Sequence, residues 1–189
     1  MQTVSKKSSI FAEKLHPMRN VMFVLLASVL MLSCATGQTA SEKKAAARQL
    51  QSQIEDSINR RTIKVTVNYA NPLRMPPRHL TADYSIALRG DTVTSWLPYF
   101  GVAHRADISN DSASPLIFKE KAYDVKVVKG RRGAYDITFA TRHRSEMLEY
   151  RLSVFPNGNA MLNVTSSDRD AISFDGDVDV DVDAGAWRK

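Results

Sequence analysis

Apolar and polar residues alternate one by one from Thr62 onward, and this pattern constrains the fold more than any other feature. Between Thr62 and Tyr69, isoleucine, valine or tyrosine takes every second position, and threonine, lysine or asparagine takes the others. Side chains of a β-strand point alternately to opposite faces, so this period predicts a strand with one buried face and one wet face. The same pattern recurs in short segments up to Asp183.

Turn signals separate these segments. They lie at Gly90-Asp91, at residues 129–133 and at Pro156-Asn157-Gly158, which is the strongest hairpin signal in the chain. We count about eight strands. Crossover helices between them are absent, which excludes a parallel sheet. The sequence therefore predicts a mainly β domain over residues 62–183, an antiparallel meander that closes into a small barrel or stacks as a sandwich.

A helical period precedes the strands, over residues 41–61. Ser41 is suited to cap its start, and apolar residues recur at a spacing of three or four from Ala47 to Ile58. The apolar stripe is narrow, so we expect this one N-terminal α-helix to cover an edge or end of the β-domain.

The most apolar run of the chain, residues 21–32, ends just before Cys34, which is the only cysteine. The run is shorter than the 20 or so residues that cross a membrane, but it suits a secretory signal with Arg19 as its positive charge. We therefore expect residues 1–33 to be a signal peptide, with Met18 as the true start. A lone cysteine also excludes internal disulfides and multi-cysteine zinc sites.

The segment Met31-Leu32-Ser33-Cys34 resembles the lipobox of bacterial lipoproteins, where the cysteine receives a diacylglycerol and becomes the N-terminus. The alternative is a free cysteine buried at the end of a core segment. Two or more acyl chains, such as palmitate, hold a protein stably on a membrane. We expect a membrane-anchored lipoprotein with residues 34–40 as a tether. Residues 35–40 lack the acidic residues typical of surface-exported lipoproteins, which favours the periplasm-facing side.

The net charge of +6 does not indicate nucleic-acid binding. Residues 1–33 contribute half of it, and the remainder of the chain mixes 22 basic with 19 acidic residues without a basic stripe. The acidic stretch DGDVDVDVD, residues 175–183, resembles a calcium loop, but Val180 takes the position where such a loop needs glycine. We predict instead a strand with its valines inward and its aspartates outward, and no metal site.

Three aromatic residues and a histidine mark the candidate contact region: Trp96, Tyr99, Phe100 and His104. They could form the rim of an apolar pocket at a barrel mouth, or the end of a strand that closes the core. The segment from Gly101 to Pro115 reads as a long exposed loop. Motifs for nucleophilic, metal-dependent or nucleotide-dependent catalysis are missing, so we predict no catalytic residue and no cofactor.

The order of several short motifs resembles a family of Bacteroidetes lipoproteins that carry the domain of unknown function numbered 4251. The motifs are Asn71-Pro72-Leu73-Arg74, Leu80-Thr81-Ala82-Asp83-Tyr84-Ser85, Gly90-Asp91-Thr92-Val93, Leu97-Pro98-Tyr99-Phe100-Gly101, Asn157-Gly158 and Ile172-Ser173-Phe174. The resemblance covers residues 40–178 and implies a small exported lipoprotein without an assigned activity. Thr92 and Ser112 also match the short Asp-Ser/Thr signal for O-glycosylation in such bacteria.

Three functions are compatible with these features. The first is a lipid-anchored module that binds a small apolar or peptide-like ligand, or an envelope protein, near the aromatic residues. The second is a structural envelope protein whose interior is filled by side chains. The third is an envelope hydrolase, which would require Asp83, His104 or His143 to converge with a hydroxyl in one concavity.

Overall fold

The computed structural model describes residues 40–105 and 114–180. Several predicted features lie outside the described residues: the signal peptide, Cys34, nearly all of the tether, Ser112, and the acidic stretch beyond Val180 with the tail at residues 184–189. The chain divides into two compact units, residues 1–43 and 44–189. Of the first unit, only residues 40–43 are described, and they form the first turn of a helix.

The described residues contain one α-helix and nine strands, joined by turns and short connections. The helix α1 spans Ala40–Asn59. The strands are β1 (Thr62–Pro72), β2 (Arg78–His79), β3 (Ser85–Arg89), β4 (Thr92–Trp96), β5 (Ile117–Lys129), β6 (Tyr135–His143), β7 (Glu146–Val154), β8 (Asn159–Ser166) and β9 (Ile172–Asp179). Within these residues, α1 is not long and apolar enough to cross a membrane.

Eight of the strands form a closed antiparallel barrel in the order β1, β3, β4, β5, β6, β7, β8 and β9, and β9 pairs back onto β1. The two-residue strand β2 is an addition that pairs with β1 alone. The predicted fold class is therefore confirmed, and of its two alternatives the barrel is the one that forms. Closure removes the exposed edges that an open meander would leave.

The interior of the barrel is filled by side chains. Strand β7 shows the pattern best, because Leu148, Tyr150, Leu152 and Val154 are all buried while the residues between them face outward. The rings of Phe139 and Tyr150 stack with their centroids 4.9 Å apart. Each large apolar side chain buried in this way contributes about 1.5–3 kcal/mol.

Helix α1 covers one end of the barrel, which we call the helix end. Ile54 and Ile58 are buried in the core, as the apolar stripe predicts. Glu55 accepts hydrogen bonds from the Tyr135 hydroxyl at 2.8 Å and from Lys129 Nζ at 3.0 Å. Both bonds lower the pKa of Glu55, and the bond from Tyr135 has the larger effect.

The described aspartates of the acidic stretch lie on the outer face of β9, and each accepts a bond from β1. The pairs are Asp175 with Asn71 Nδ2 at 2.7 Å, Asp177 with Asn68 Nδ2 at 2.8 Å and Asp179 with Lys64 Nζ at 2.8 Å. Ile172, Phe174 and Val178 face the core. This part of the stretch thus forms the predicted strand and joins the two ends of the sheet.

Tyr150 provides a test of the interior. Its hydroxyl is buried without a hydrogen-bond partner among the described residues, and the hydroxyl of neighbouring Ser95 donates to the Leu116 carbonyl oxygen at 2.6 Å. Burial raises the pKa of Tyr150. We expect Tyr150→Phe to leave the free energy of unfolding unchanged or to raise it by about 1 kcal/mol, because it removes an unsatisfied polar group. Denaturant titration measures the difference.

The control for this variant is Tyr135→Phe. The Tyr135 hydroxyl donates to Glu55, so its removal should lower the stability. If Tyr150→Phe lost as much stability as Tyr135→Phe, the Tyr150 hydroxyl would have to form a stabilising hydrogen bond, and the interpretation would be wrong.

Candidate functional site

The end of the barrel opposite α1, which we call the loop end, contains the aromatic residues that the sequence analysis selected. Trp96 is the last residue of β4 and is exposed, whereas Leu97 is completely buried. Tyr99 and Phe100 are partly buried and pack against the core. The Arg78 guanidinium lies over the Phe100 ring at 4.9 Å.

Asp170 is a buried carboxylate at the loop end, and the sequence analysis did not identify it. Its side chain is only 3 % exposed. Oδ1 lies 3.0 Å from His104 Nε2, and Oδ2 lies 3.2 Å from Arg74 Nε. The Tyr99 hydroxyl donates to the Asp170 carbonyl oxygen at 3.1 Å. The pKa of Tyr99 is raised, first by burial and then by the negative charge of Asp170.

A second buried carboxylate, Glu146, pairs with Arg169. Arg169 Nε lies 2.9 Å and 3.0 Å from the two carboxylate oxygens, and both side chains are largely buried. The Ser166 hydroxyl also donates to Glu146. The Arg169 guanidinium lies 5.6 Å from the centre of the Tyr99 ring. The loop end is therefore closed by ion pairs and aromatic contacts that belong to the protein itself.

The histidines do not assemble a catalytic group among the described residues. His104 binds Asp170, while His143 binds Glu120 at 3.1 Å and stacks on Phe118. No described hydroxyl side chain is hydrogen-bonded to either imidazole. His79 contacts the ring of Tyr69. In residues 40–105 and 114–180, no cluster of three or more potential metal ligands occurs.

An open groove lies on the outer face of β5 to β8, and we call it the outer groove. Its volume is about 670 Å³. One row of residues across its floor consists of Ala140, Glu149 and Thr165. The next row consists of Lys126, Thr138, Arg151 and Asn163. Because alternate residues of a strand are about 7 Å apart, Glu149 in the first row lies about that far along β7 from Arg151 in the second.

The charged side chains of the outer groove have no partner among the residues that the structure describes. In the part of the chain that the structure describes, Lys126, Glu149 and Arg151 form no hydrogen bond or ion pair with other side chains. The outward aspartates of β9 differ in this respect, since each is bonded to β1. The groove therefore offers both charge signs, an amide and hydroxyls to a ligand or partner.

A β-bulge in β5 shapes one wall of the groove. The pairing of β5 with β6 shifts between Tyr123 and Lys126, and Asp124 adopts a positive φ of 54°. A bulge bends its strand and re-aims the neighbouring side chains. No residue in this segment carries a recognisable bulge signal.

The predicted glycosylation residue Thr92 begins β4 and is partly buried. It lines a smaller groove of about 170 Å³ together with Ala87, Arg89, Thr94 and Lys119.

The start of the predicted long loop is attached to the segment between β8 and β9, because His104 N–H donates to the Asp168 carbonyl oxygen at 2.7 Å.

Comparison with known proteins gives a family model and a solved structure. The model described as "Domain of unknown function (DUF4251)" matches residues 45–178. The solved structure is a DUF4251 family protein from Bacteroides eggerthii, which is 12 % identical with a TM-score of 0.52. The alignment covers 71 % of this chain and 89 % of that one. No match was found among curated proteins.

Proposed function

Because this chain belongs to the family with a domain of unknown function, DUF4251, we propose its function from its own residues: a lipid-anchored cell-envelope protein that binds a partner without catalysing a reaction. The match over residues 45–178 confirms the family that the sequence motifs indicated, and the lipid anchor is part of the proposal. The observation that carries the proposal is the outer groove, whose charged side chains lack partners among the described residues.

The anchor follows from the sequence around Cys34. The apolar run ends in Leu32-Ser33-Cys34, which resembles a lipobox, and diacylglycerol on the thiol holds a protein on a membrane without a spanning helix. A tether of residues 34–40 reaches about 20 Å when it is extended. The β-domain would then act close to the bilayer, on the periplasmic side.

Cells that are fed radiolabelled fatty acid provide the test of the anchor. We expect the wild-type protein to be labelled and to fractionate with membranes. Cys34→Ser should abolish both, because the thiol is the acceptor. A soluble, unlabelled wild type would show that the thiol is not modified.

The binding role is supported by the contrast between the two candidate regions. At the loop end, Asp170 and Glu146 already have arginine or histidine partners. In the outer groove, Glu149 and Arg151 have none among the described residues. Charged groups that are already paired add little to the recognition of a new partner, whereas unpaired ones can supply complementary charge.

Photocrosslinking in the native host tests the groove. We expect a benzoylphenylalanine at Asn163, on the groove floor, to give one dominant covalent adduct on irradiation. Met161 lies two residues away on the same face of β8, is exposed and lies outside the groove, so it is the matched control. Equal adducts at both positions, or none at Asn163, would contradict binding in the groove, and the mass of the adduct identifies the partner.

A structural envelope role is the second candidate, and the filled interior favours it. Tyr150 and Phe174 are completely buried in the barrel, so the interior volume is taken up by the protein itself. The crosslinking experiment separates the two functions, because a purely structural protein needs no specific partner in the groove. The histidine contacts described above give a hydrolase no comparable support.

A further inference from the structure

Strand β5 extends well beyond its neighbour β4 toward the helix end. β4 pairs with β5 only from Ile117 to Lys121. One further bond, from Ala122 N–H to the Asp91 carbonyl oxygen at 2.6 Å, ends this contact. Among the described strands, the remainder of β5, up to Lys129, pairs with β6 alone. We call this segment, residues 123–129, the free edge.

The pairing pattern shows which backbone groups face the free edge. Gly130 N–H donates to the Ala134 carbonyl oxygen across the hairpin, and Val128 pairs with Asp136 in the same register. Since directly paired residues of antiparallel strands alternate between bonded and non-bonded pairs, Val127 and Lys129 are the non-bonded residues. Their N–H and C=O groups therefore point away from β6, toward the free edge.

The side chains of the free edge are unusually apolar for a position that faces water. Val128 is 60 % exposed, Tyr123 50 % and Val127 41 %. A strand with exposed valines and unpaired backbone groups is a template for the addition of another strand.

Charge selects the kind of strand that fits. Residues 122–133 contain four basic residues and one acidic residue, and of the basic residues Lys129 is already paired with Glu55. Lys126 has no partner among the described residues, and Arg131 and Arg132 occupy the hairpin tip. Two copies of this edge would bring like charges together, which disfavours pairing between copies. An acidic extended segment would instead meet opposite charge.

We propose that the free edge of β5 binds an extended acidic peptide segment of a partner protein by antiparallel or parallel strand addition. Val127 and Lys129 supply the backbone bonds, Val127 packs against the apolar side chains on one face of the segment, and Lys126 on the other face and the hairpin arginines attract its carboxylates. This surface adjoins the outer groove of the proposed function and shares Lys126 with it, but the backbone edge is a separate contact. Asn163, which tests the outer groove, lies three strands away on β8.

The test uses the full chain purified in detergent and an acetylated, amidated octapeptide of alternating glutamate and valine as the probe. Fluorescence anisotropy of labelled peptide should show saturable binding that weakens with salt, as screening predicts. The matching lysine–valine octapeptide should bind at least about tenfold more weakly. On binding, amide hydrogen exchange should slow at Val127 and Lys129.

Two variants of Val127 isolate the backbone contribution. Val127→Pro removes an N–H that faces the free edge and should weaken binding about tenfold, with the bonds to β6 retained. Val127→Thr keeps both the N–H and the side-chain shape, and should bind as the wild type does. Lys126→Glu should weaken binding of the glutamate–valine peptide by a similar factor and strengthen that of the lysine–valine peptide.

Several results would overturn the proposal. They are equal binding of the acidic and basic peptides, absence of binding, or binding that Val127→Pro leaves intact in a folded protein. A concentration-dependent dimer that Val127→Pro dissolves would assign the edge to a second copy instead. None of these outcomes depends on whether Asn163 gives an adduct in the groove, so the two proposals can fail separately.

Discussion

Gly176→Ala should destabilise the barrel by about 3 kcal/mol or more, because it introduces a methyl group where two backbones touch. Gly176 on β9 lies opposite Val67 of β1. A Cβ at this position would overlap the Thr66 carbonyl oxygen and lie 2.8 Å from Val67 Cα. These are backbone atoms that cannot rotate away, so β1 and β9 must separate at the place where the barrel closes.

The measurement is a thermal or denaturant unfolding curve, with Gly90→Ala as the matched control. Gly90 has a positive φ of 60°, but no atom lies within 4 Å of the position its Cβ would take. Its substitution therefore costs only the conformational strain of about 1 kcal/mol. If the two variants unfold at the same midpoint, the backbones of β1 and β9 do not exclude a methyl group at position 176, and the prediction is wrong.

The fold was largely predictable because its signals are local. Alternation from Thr62 marks the strands, and Asn157-Gly158 marks a hairpin whose glycine has a φ of 90°. The choice between barrel and sandwich was not predictable, because it depends on pairing between β1 and β9, more than a hundred residues apart. Strand β2 was missed because two residues cannot show a period.

The candidate site was predicted less well, for physical reasons that differ between the two regions. At the loop end, the aromatic cluster was visible in the sequence, but its buried partners Glu146, Arg169 and Asp170 come from strand ends and a connection far from it. In the outer groove, outward polar residues such as Glu149 and Arg151 have the same alternation whether they line a groove or a flat wet face. The bulge at Asp124 shapes one wall of the groove, and its position is set by the pairing of β5 with β6.

Glu146→Ala should cost about 3–5 kcal/mol, because it breaks the buried ion pair with Arg169. The Glu146 and Arg169 side chains are only 9 % and 12 % exposed, respectively. The Ser166 hydroxyl loses its acceptor at the same time. Chemical denaturation measures the loss. Near-ultraviolet circular dichroism should also change, because Arg169 lies over the Tyr99 ring and its displacement alters the environment of that ring.

A double substitution separates the attraction within the ion pair from the penalty of removing only one of its two charges. Replacing Glu146 by leucine and Arg169 by methionine removes both charges while keeping similar volume, and replacements of this kind are often close to neutral. We therefore expect the double variant to recover most of the stability that Glu146→Ala loses. If it is as unstable as Glu146→Ala, the pair contributes attraction beyond mutual neutralisation, and the loop end depends on its charges rather than on its packing.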